Sequence, residues 1–254
     1  MQSFKQIDDP GFGLHFTHKV KTMKRIGLIG GMSWASSHVY YQLLNQRVQS
    51  LLGGAHSCHC IMVSVDFAEI ERLTFQDDWE GIGRLMAKSA RELEAAGAEL
   101  IILCTNTIHL VSDAITAATS LPFLHIADAT GQAIKAQNMR KVALLGTRFT
   151  MEQDFYRDIL EKDFGIEVII PGVTDREALQ HMIYKEMAQD RFTEEARQSC
   201  LRIIADMAAQ GAEGAILGCT ELPILLEGQS LAIPGINTTQ EHAHAALKIA
   251  LGQD

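Results

Sequence analysis

Two short stretches of the sequence place chemically reactive side chains at matching points. The first, AGAELIILCTNT, covers residues 96–107, and the second, QGAEGAILGCTE, covers residues 210–221. When their Gly-Ala-Glu triplets are superposed, the stretches align without a gap, and Thr105 falls on Cys219. Each stretch ends in a polar tip that follows its short apolar strand. The hydroxyl of Thr105 at the first tip and the thiol of Cys219 at the second could remove and donate a proton on two sides of one carbon. This pairing suits inversion of a stereocentre.

Cys219 is the stronger candidate for the base. A free thiol has a pKa near ~8.5, and Cys219 precedes Thr220-Glu221-Leu222-Pro223, which reads as a turn into a helix. The N-terminus of that helix is expected to lower the pKa of the thiol. A lone cysteine after an apolar strand is more often a packed core residue, so it is the repeat that favours catalysis here.

The first tip has two candidates, Thr105 and Cys104. The alternation of side chains along a strand turns them to opposite faces, so if one points into a cleft the other does not. The gapless alignment favours Thr105. Because threonine is a far weaker acid than cysteine, Thr105 is predicted to be a proton donor or relay.

Each tip ends a short apolar strand that follows a helix and a glycine turn. RIGLIGGMSW (25–34) and RKVALLGTRFTMEQDFY (140–156) form a second pair, each reading as strand, glycine turn and helix. This pattern predicts an α/β fold with two similar Rossmann-like domains, mostly parallel sheets and pseudo-twofold symmetry. Parallel sheets bind ligands beyond the carboxyl ends of their strands, so the active site is expected in the cleft between the domains.

Composition limits the possible partners and compartment. The formal charge is −9 with dispersed acids, which argues against a nucleic-acid partner, and no apolar run approaches the ~20 residues of a membrane span. The five cysteines form no disulfide-like pattern, which favours the reduced cytoplasm. Residues 1–22 lack periodicity and are predicted to be a disordered extension or the product of a start site placed too early.

No cofactor is predicted from the motifs. The turn at Gly30-Gly31 lacks the G-x-G-x-x-G spacing of dinucleotide sites. His56, Cys58 and Cys60 could share one face of a strand, but no second ligand pair with zinc-like spacing accompanies them, so no metal is predicted. A cofactor-free reaction would need positioned amides and hydroxyls to stabilise a carbanion-like state. The tips supply Asn106 and Thr107 on one side and Thr220 and Glu221 on the other.

The chain resembles the aspartate/glutamate racemase superfamily, and within it the broad-specificity amino acid racemase branch. The resemblance runs from about Met23 to the C-terminus, and its markers are GLIGGMSW, SVDF, LCTNTIH, LHIADAT, LLGTRFTMEQDFY and LGCTELP. It implies a racemase independent of pyridoxal phosphate, a homodimer, a first domain of residues 23–122 plus 235–254 and a second of residues 123–234.

The resemblance also implies site residues. Family members carry Cys-Asn-Thr at the first tip and Gly-Cys-Thr at the second; here Thr105 stands in the place of the first cysteine. The implied catalytic pair is therefore Thr105 and Cys219, an asymmetric pair that should favour the L enantiomer. The implied substrate-binding residues are Met32, Thr74, Asn106, Thr107, Thr147, Thr150 and Thr220.

The sequence thus predicts a racemase acting on aspartate, glutamate or a related polar amino acid. Neither Arg72 nor Arg176 matches cleanly the cations with which aspartate racemases bind the side-chain carboxylate, so strict aspartate specificity is not predicted. One alternative is an isomerase or decarboxylase of related fold that acts on maleate-like or arylmalonate-like acids. Another is a non-catalytic protein that binds small acids.

Overall fold

Strands and helices alternate throughout residues 23–253, the part of the chain that the computed structural model describes. The prediction for residues 1–22 concerns residues outside this part. The strands are β1 (Ile26–Gly30), β2 (Cys60–Ser64), β3 (Leu100–Leu103), β4 (Lys141–Gly146), β5 (Glu167–Ile169), β6 (Gly214–Gly218) and β7 (Gly235–Asn237). The helices are α1 (Trp34–Leu52), α2 (Phe67–Phe75), α3 (Trp79–Ala95), α4 (Ser112–Thr116), α5 (Ile126–Ala136), α6 (Arg148–Glu152), α7 (Asp154–Lys162), α8 (Val173–Lys185), α9 (Glu194–Ala209), α10 (Leu222–Leu225) and α11 (Thr238–Leu251).

The strands form two parallel sheets with the same internal order. The first sheet is β2-β1-β3 and the second is β5-β4-β6-β7. β1 is central and pairs with β2 and β3, just as β4 pairs with β5 and β6. The predicted α/β fold with two parallel sheets is confirmed. No helix of residues 23–253 is long and apolar enough to cross a membrane.

The aligned glycines have the same role in both halves. α3 and α9 each end one residue before a capping position, and the next residues, Gly97 and Gly211, have φ values of +83° and +90°. Side chains rarely tolerate this left-handed conformation, so glycine is favoured at both turns. The chain therefore enters β3 and β6 in the same way.

The chain crosses between the sheets twice. Phe123 bridges to Ile101 in the first sheet, and Gly235 pairs with Ala215 at the corresponding place in the second. After the first crossing, α5 packs in the core of the second sheet. After the second crossing, α11 packs in the core of the first.

These pairings bear on the domain limits proposed from the sequence. Phe123 pairs with the first sheet and β7 with the second, whereas the limits after residues 122 and 234 would assign both to the other domain. A division by sheet membership would place each crossing a few residues later. The extent of the two domains remains a proposal.

Three buried imidazoles meet where the chain crosses. The ring centroid of His109 lies 4.5 Å from that of His125 and 5.7 Å from that of His242. The His242 Nε2–H donates to the carbonyl oxygen of Leu124, while its Nδ1 accepts a hydrogen bond from the hydroxyl of Tyr40. Burial favours the neutral ring, and in that state the proton on Nε2 leaves Nδ1 as the acceptor for Tyr40.

The free energy of unfolding is expected to fall as the pH is lowered. Burial lowers the pKa of His242 to about 4 and that of His125 to about 3, whereas an unfolded histidine titrates near ~6.5. Below that pH the unfolded state binds more protons than the folded state. Each of the two rings therefore lowers the free energy of unfolding by on the order of 2 kcal/mol at about pH 5. Urea unfolding at about pH 7.5 and about pH 5 measures the loss.

His242→Gln is the control for this pH dependence, because glutamine does not titrate. The variant should lose less stability between the two pH values than the unmodified protein, by about the share of one ring. Every other titrating group is common to both proteins. An equal loss in both would show that His242 is not held neutral in the folded state.

Candidate active site

The two tips are joined by a chain of hydrogen bonds. The Asn106 Nδ2 donates to the Thr238 Oγ1 at 3.1 Å, and the Thr238 hydroxyl donates to the carbonyl oxygen of Leu217 at 3.1 Å. Asn106 follows Thr105, and Leu217 lies two residues before Cys219. The chain therefore holds the carboxyl ends of β3 and β6 beside each other, as expected for a cleft between two parallel sheets.

A cluster of three hydroxyls forms a second link between the halves. The Thr107 Oγ1 lies 3.0 Å from the Thr147 Oγ1 and 3.5 Å from the Thr150 Oγ1, and the last two are 3.1 Å apart. Thr147 caps the N-terminus of α6 by accepting a hydrogen bond from the backbone N–H of Thr150. Because these hydroxyls bond to one another, they could turn toward an anionic ligand at little cost.

The glycine turn after β1 provides a third link. The Ser36 Oγ lies 2.7 Å from the Thr220 Oγ1, next to Cys219. Ser33 is the N-cap of α1, and its hydroxyl accepts a hydrogen bond from the backbone N–H of Ser36. This turn therefore brings the first turn of α1 into contact with the second tip.

Two of the proposed substrate-binding residues are less clearly placed. The Met32 side chain is buried in the core of the first sheet, so only its backbone could face a ligand. The Thr74 hydroxyl donates to the carbonyl oxygen of Ile70 within α2. Within residues 23–253, no hydrogen bond joins Thr74 to the other proposed site residues.

The environment of Cys219 differs from the expectation. Its thiol donates to the Glu221 Oε2 at 2.7 Å. Burial raises the pKa of Cys219 well above its usual value, and the charge of Glu221 and this hydrogen bond raise it further, outweighing the lowering by the backbone N–H groups of Thr220 and Glu221. The predicted lowering of this pKa is therefore wrong: α10 has four residues, and burial of the thiol together with the Glu221 contact outweighs so short a helix.

This contact gives the thiol a proton acceptor. The Glu221 Oε2 also accepts a hydrogen bond from the Thr220 hydroxyl at 2.8 Å, so the carboxylate is held by two donors. Cys219 is a protonated thiol at rest.

At the first tip, the two candidates have different environments. Cys104 is fully buried in the core of the first sheet, and burial raises its pKa far above the usual range. Thr105 is partly exposed. The first role remains a prediction for Thr105, and burial argues against Cys104.

Two groups near the cleft could recognise a ligand. The Asn106 Oδ1 is buried without a hydrogen-bond partner in the described part of the chain, so it can accept from a ligand donor such as an ammonium group. Burial raises the pKa of Tyr184 to about 12, and the negative charges of Glu71 and Glu221 contribute. Tyr184 is therefore a neutral phenol close enough to Glu221 to respond to its charge.

Three arginine side chains differ in whether other groups already bind them. Arg176 is held by the Glu152 carboxylate and the carbonyl oxygen of Pro171, and Arg72 bonds to Gln76. Arg148 makes no ion pair with any residue in the range 23–253, and its charge acts on Tyr184. Arg148 was not singled out from the sequence.

Sequence reasoning missed two further residues. Glu221 was noted only as one of the residues at the tip, although its place two residues after Cys219 was a signal that it could meet the thiol. No local signal pointed to Thr238, because its contact with Asn106 exists only once α11 returns to the first sheet. In residues 23–253 no three side chains of His, Cys, Asp or Glu are arranged to hold a metal ion.

Comparison with known proteins identifies the family. The model of the family described as Asp/Glu/Hydantoin racemase matches residues 29–246. The crystal structure of a candidate Asp/Glu racemase from Yersinia pestis is 50% identical and has a TM-score of 0.85, covering 90% of this chain and 100% of that one. An aspartate racemase homologue from Pyrococcus horikoshii OT3 is 33% identical, with a TM-score of 0.76 and coverage of 90% and 99%. The broad specificity amino-acid racemase RacX of Bacillus subtilis (strain 168) is 25% identical over 219 residues, which are 84% of this chain and 92% of RacX. The chain therefore belongs to the Asp/Glu/hydantoin racemase family and is an isomerase of the racemase class.

Proposed function

We propose that the protein inverts Cα of aspartate, glutamate or a related polar amino acid without a cofactor, in the cytoplasm and as a homodimer. The observation that carries the proposal is the hydrogen-bond chain from Asn106 through Thr238 to the carbonyl oxygen of Leu217. It supports a cleft in which Thr105 and Cys219 address one substrate carbon from two sides. The proposed two-sided acid/base chemistry needs such a pair.

Cys219 is the proposed base for the L enantiomer. Its thiol proton passes to the Glu221 carboxylate, 2.7 Å away. The resulting thiolate then takes the proton from Cα, and the substrate becomes a carbanion while the thiol is restored. The proton held by Glu221 is released to solvent, which restores the carboxylate and balances the proton that Thr105 takes up from solvent. Because the transfer leaves one negative charge on the pair, a substrate ammonium group favours the thiolate when it lies nearer the sulfur than the carboxylate.

Thr105 is the proposed acid on the opposite face. Its hydroxyl donates a proton to the carbanion and recovers one from solvent through water, which its partial exposure permits. Because a threonine hydroxyl is a weak base, removal of the proton from the D enantiomer is slow. The protein should therefore act faster on L substrates than on D substrates.

The remaining polar groups suit an amino acid zwitterion. The hydroxyls of Thr107, Thr147 and Thr150 can donate to the α-carboxylate, and the unpartnered Oδ1 of Asn106 can accept from the α-ammonium group. Arg148 has no ion pair in residues 23–253 and is the proposed partner of a side-chain carboxylate. A buried carboxylate without such a partner would be costly.

A deuterium-exchange screen tests the proposed function. The protein is incubated in D₂O with the L and D forms of the common amino acids and no added cofactor, and α-deuterium is measured by mass spectrometry after chiral separation. Aspartate is compared with asparagine, and glutamate with glutamine. Exchange is expected for acidic or polar amino acids, faster from the L form.

Absence of exchange with every amino acid would refute the proposed function. Turnover of maleate-like or arylmalonate-like acids would then indicate the related isomerase or decarboxylase. Thermal stabilisation by an amino acid without exchange or turnover would instead indicate a small-acid binding protein.

A further inference from the structure

His109 connects the first tip to the first crossing between the sheets. Its Nδ1–H donates to the carbonyl oxygen of Thr105 at 2.8 Å. Its Nε2 accepts from the backbone N–H of Ile126 at 3.2 Å. Ile126 is the first residue of α5, the helix that packs in the core of the second sheet. One buried ring therefore bonds to both halves of the molecule.

The His109 ring and backbone together hold the first tip in place. The backbone N–H of His109 bonds to the carbonyl oxygen of Asn106, which closes a tight turn after Thr105. The ring itself reaches back to Thr105 and is fully buried. The tip cannot move relative to α5 without breaking one of these contacts. This restraint acts on the backbone that carries the proposed catalytic hydroxyl.

We infer that His109 is a positioning residue, which fixes the backbone of Thr105 against α5 so that its hydroxyl faces Cα of the substrate. The inference rests on the proposed function, because it assigns a consequence to the position of Thr105. Catalysis by proton transfer is sensitive to small displacements of the donor. Cys219 sits on the other tip and has no contact with His109 in residues 23–253, so its own proton transfer should be unaffected.

The contacts fix which nitrogen carries the proton. A carbonyl oxygen can only accept, so the Nδ1 of His109 is protonated, and its Nε2, which accepts from Ile126, is bare. The opposite holds for His242, whose Nε2 donates to the carbonyl oxygen of Leu124. Burial and the neighbouring imidazoles of His125 and His242 lower the pKa of His109 well below its usual value, which keeps this neutral form.

The test separates proton return from inversion. In D₂O, the Cys219 thiol that has taken the α-proton exchanges it with solvent, and it can then return a deuteron to the same face and give deuterated L-amino acid. Thr105 can supply the opposite face and give deuterated D-amino acid. The ratio of inverted to retained product therefore reports on Thr105 and is independent of the concentration of folded enzyme. A merely structural role would not change this ratio.

Two variants and one control use this ratio. His109→Gln removes the donor to the Thr105 carbonyl oxygen and should lower the ratio by about tenfold, while retained exchange stays near that of the unmodified protein. His109→Asn keeps an N–H near the position of Nδ1 and should restore most of the ratio. His242→Gln changes a ring of the same buried cluster that hydrogen-bonds to Leu124 and Tyr40 and to no residue of the first tip in residues 23–253, and it should leave the ratio unchanged.

The outcomes distinguish the two proposals. No exchange by the unmodified protein would overturn the proposed function and this inference with it. Exchange with an unchanged ratio in His109→Gln would overturn this inference alone, as would an equal change in His242→Gln. If the His109 variants do not fold, ring ¹⁵N chemical shifts of the unmodified protein decide: a protonated Nδ1 at one buried histidine supports the inference, and Nε2–H at all three overturns it.

Discussion

Cys219→Ala is expected to lower α-deuterium exchange from the preferred L-amino acid by at least about a thousandfold. The substitution removes the only group that the proposed mechanism places on the face from which the L proton leaves. The proposed mechanism gives the Glu221 carboxylate, the acceptor of the thiol proton, no contact with Cα. Inversion and retention should be lost together, since both begin with removal of the same proton.

Cys200→Ala is the matched control for this loss. Cys200 is fully buried on α9 in the same core cluster as Cys219, and it is not in the proposed site. Both substitutions remove one sulfur from one core, so a loss caused by packing alone would appear in both. Exchange in Cys219→Ala within about tenfold of the Cys200→Ala rate would contradict the assignment of Cys219 as base.

Glu221→Gln separates the thiol from its proton acceptor. Glutamine keeps the shape of the side chain but cannot accept the proton, so exchange should fall by about ten- to a hundredfold. Removing the charge should also lower the pKa of Cys219, because that charge is one of the causes of its rise. Alkylation of Cys219 by iodoacetamide should then begin at a lower pH than in the unmodified protein.

The repeat in the sequence could reveal the fold because its signals are local. A helix, a left-handed glycine and an apolar strand recur at Gly97 and Gly211, and each copy follows from its own residues. The shared strand order of the two sheets is the direct consequence. The extent of the domains was harder to predict. Phe123 and the three residues of β7 each pair with a sheet, but the periodicity of the sequence does not indicate which of the two sheets it is.

Only part of the site could be predicted. The protonation states of its residues depend on burial and on contacts between residues that are distant in sequence. The pKa of Cys219 was predicted from a helix that proved to be one short turn, and the opposing Glu221 contact required knowledge of side-chain direction. Thr238 contacts Asn106 only through the return of α11. The local sequence thus indicated which residues could be reactive, but it did not indicate their protonation states.

Thr105→Val is expected to lower inversion of the L-amino acid by about a hundredfold and to spare exchange with retention. Valine keeps the branched shape of threonine and removes the hydroxyl, so it tests the acid on the D face and not the packing of the tip. Deuterated L-amino acid should continue to form, because Cys219 lies on the other tip. Chiral separation followed by mass spectrometry gives both products from one reaction.

Cys104→Ala decides between the two candidates at the first tip. Cys104 is fully buried in the core of the first sheet, and its thiol proton is held by burial, so its loss should affect stability more than inversion. If Cys104→Ala removes inversion while Thr105→Val retains it, the assignment of Thr105 is wrong. Thr105→Cys extends the test: a thiol is a stronger acid than a hydroxyl and its thiolate a usable base, so exchange from the D enantiomer should rise toward that from the L enantiomer. An increase confined to the D enantiomer would show that the asymmetry of the site resides in this one side chain.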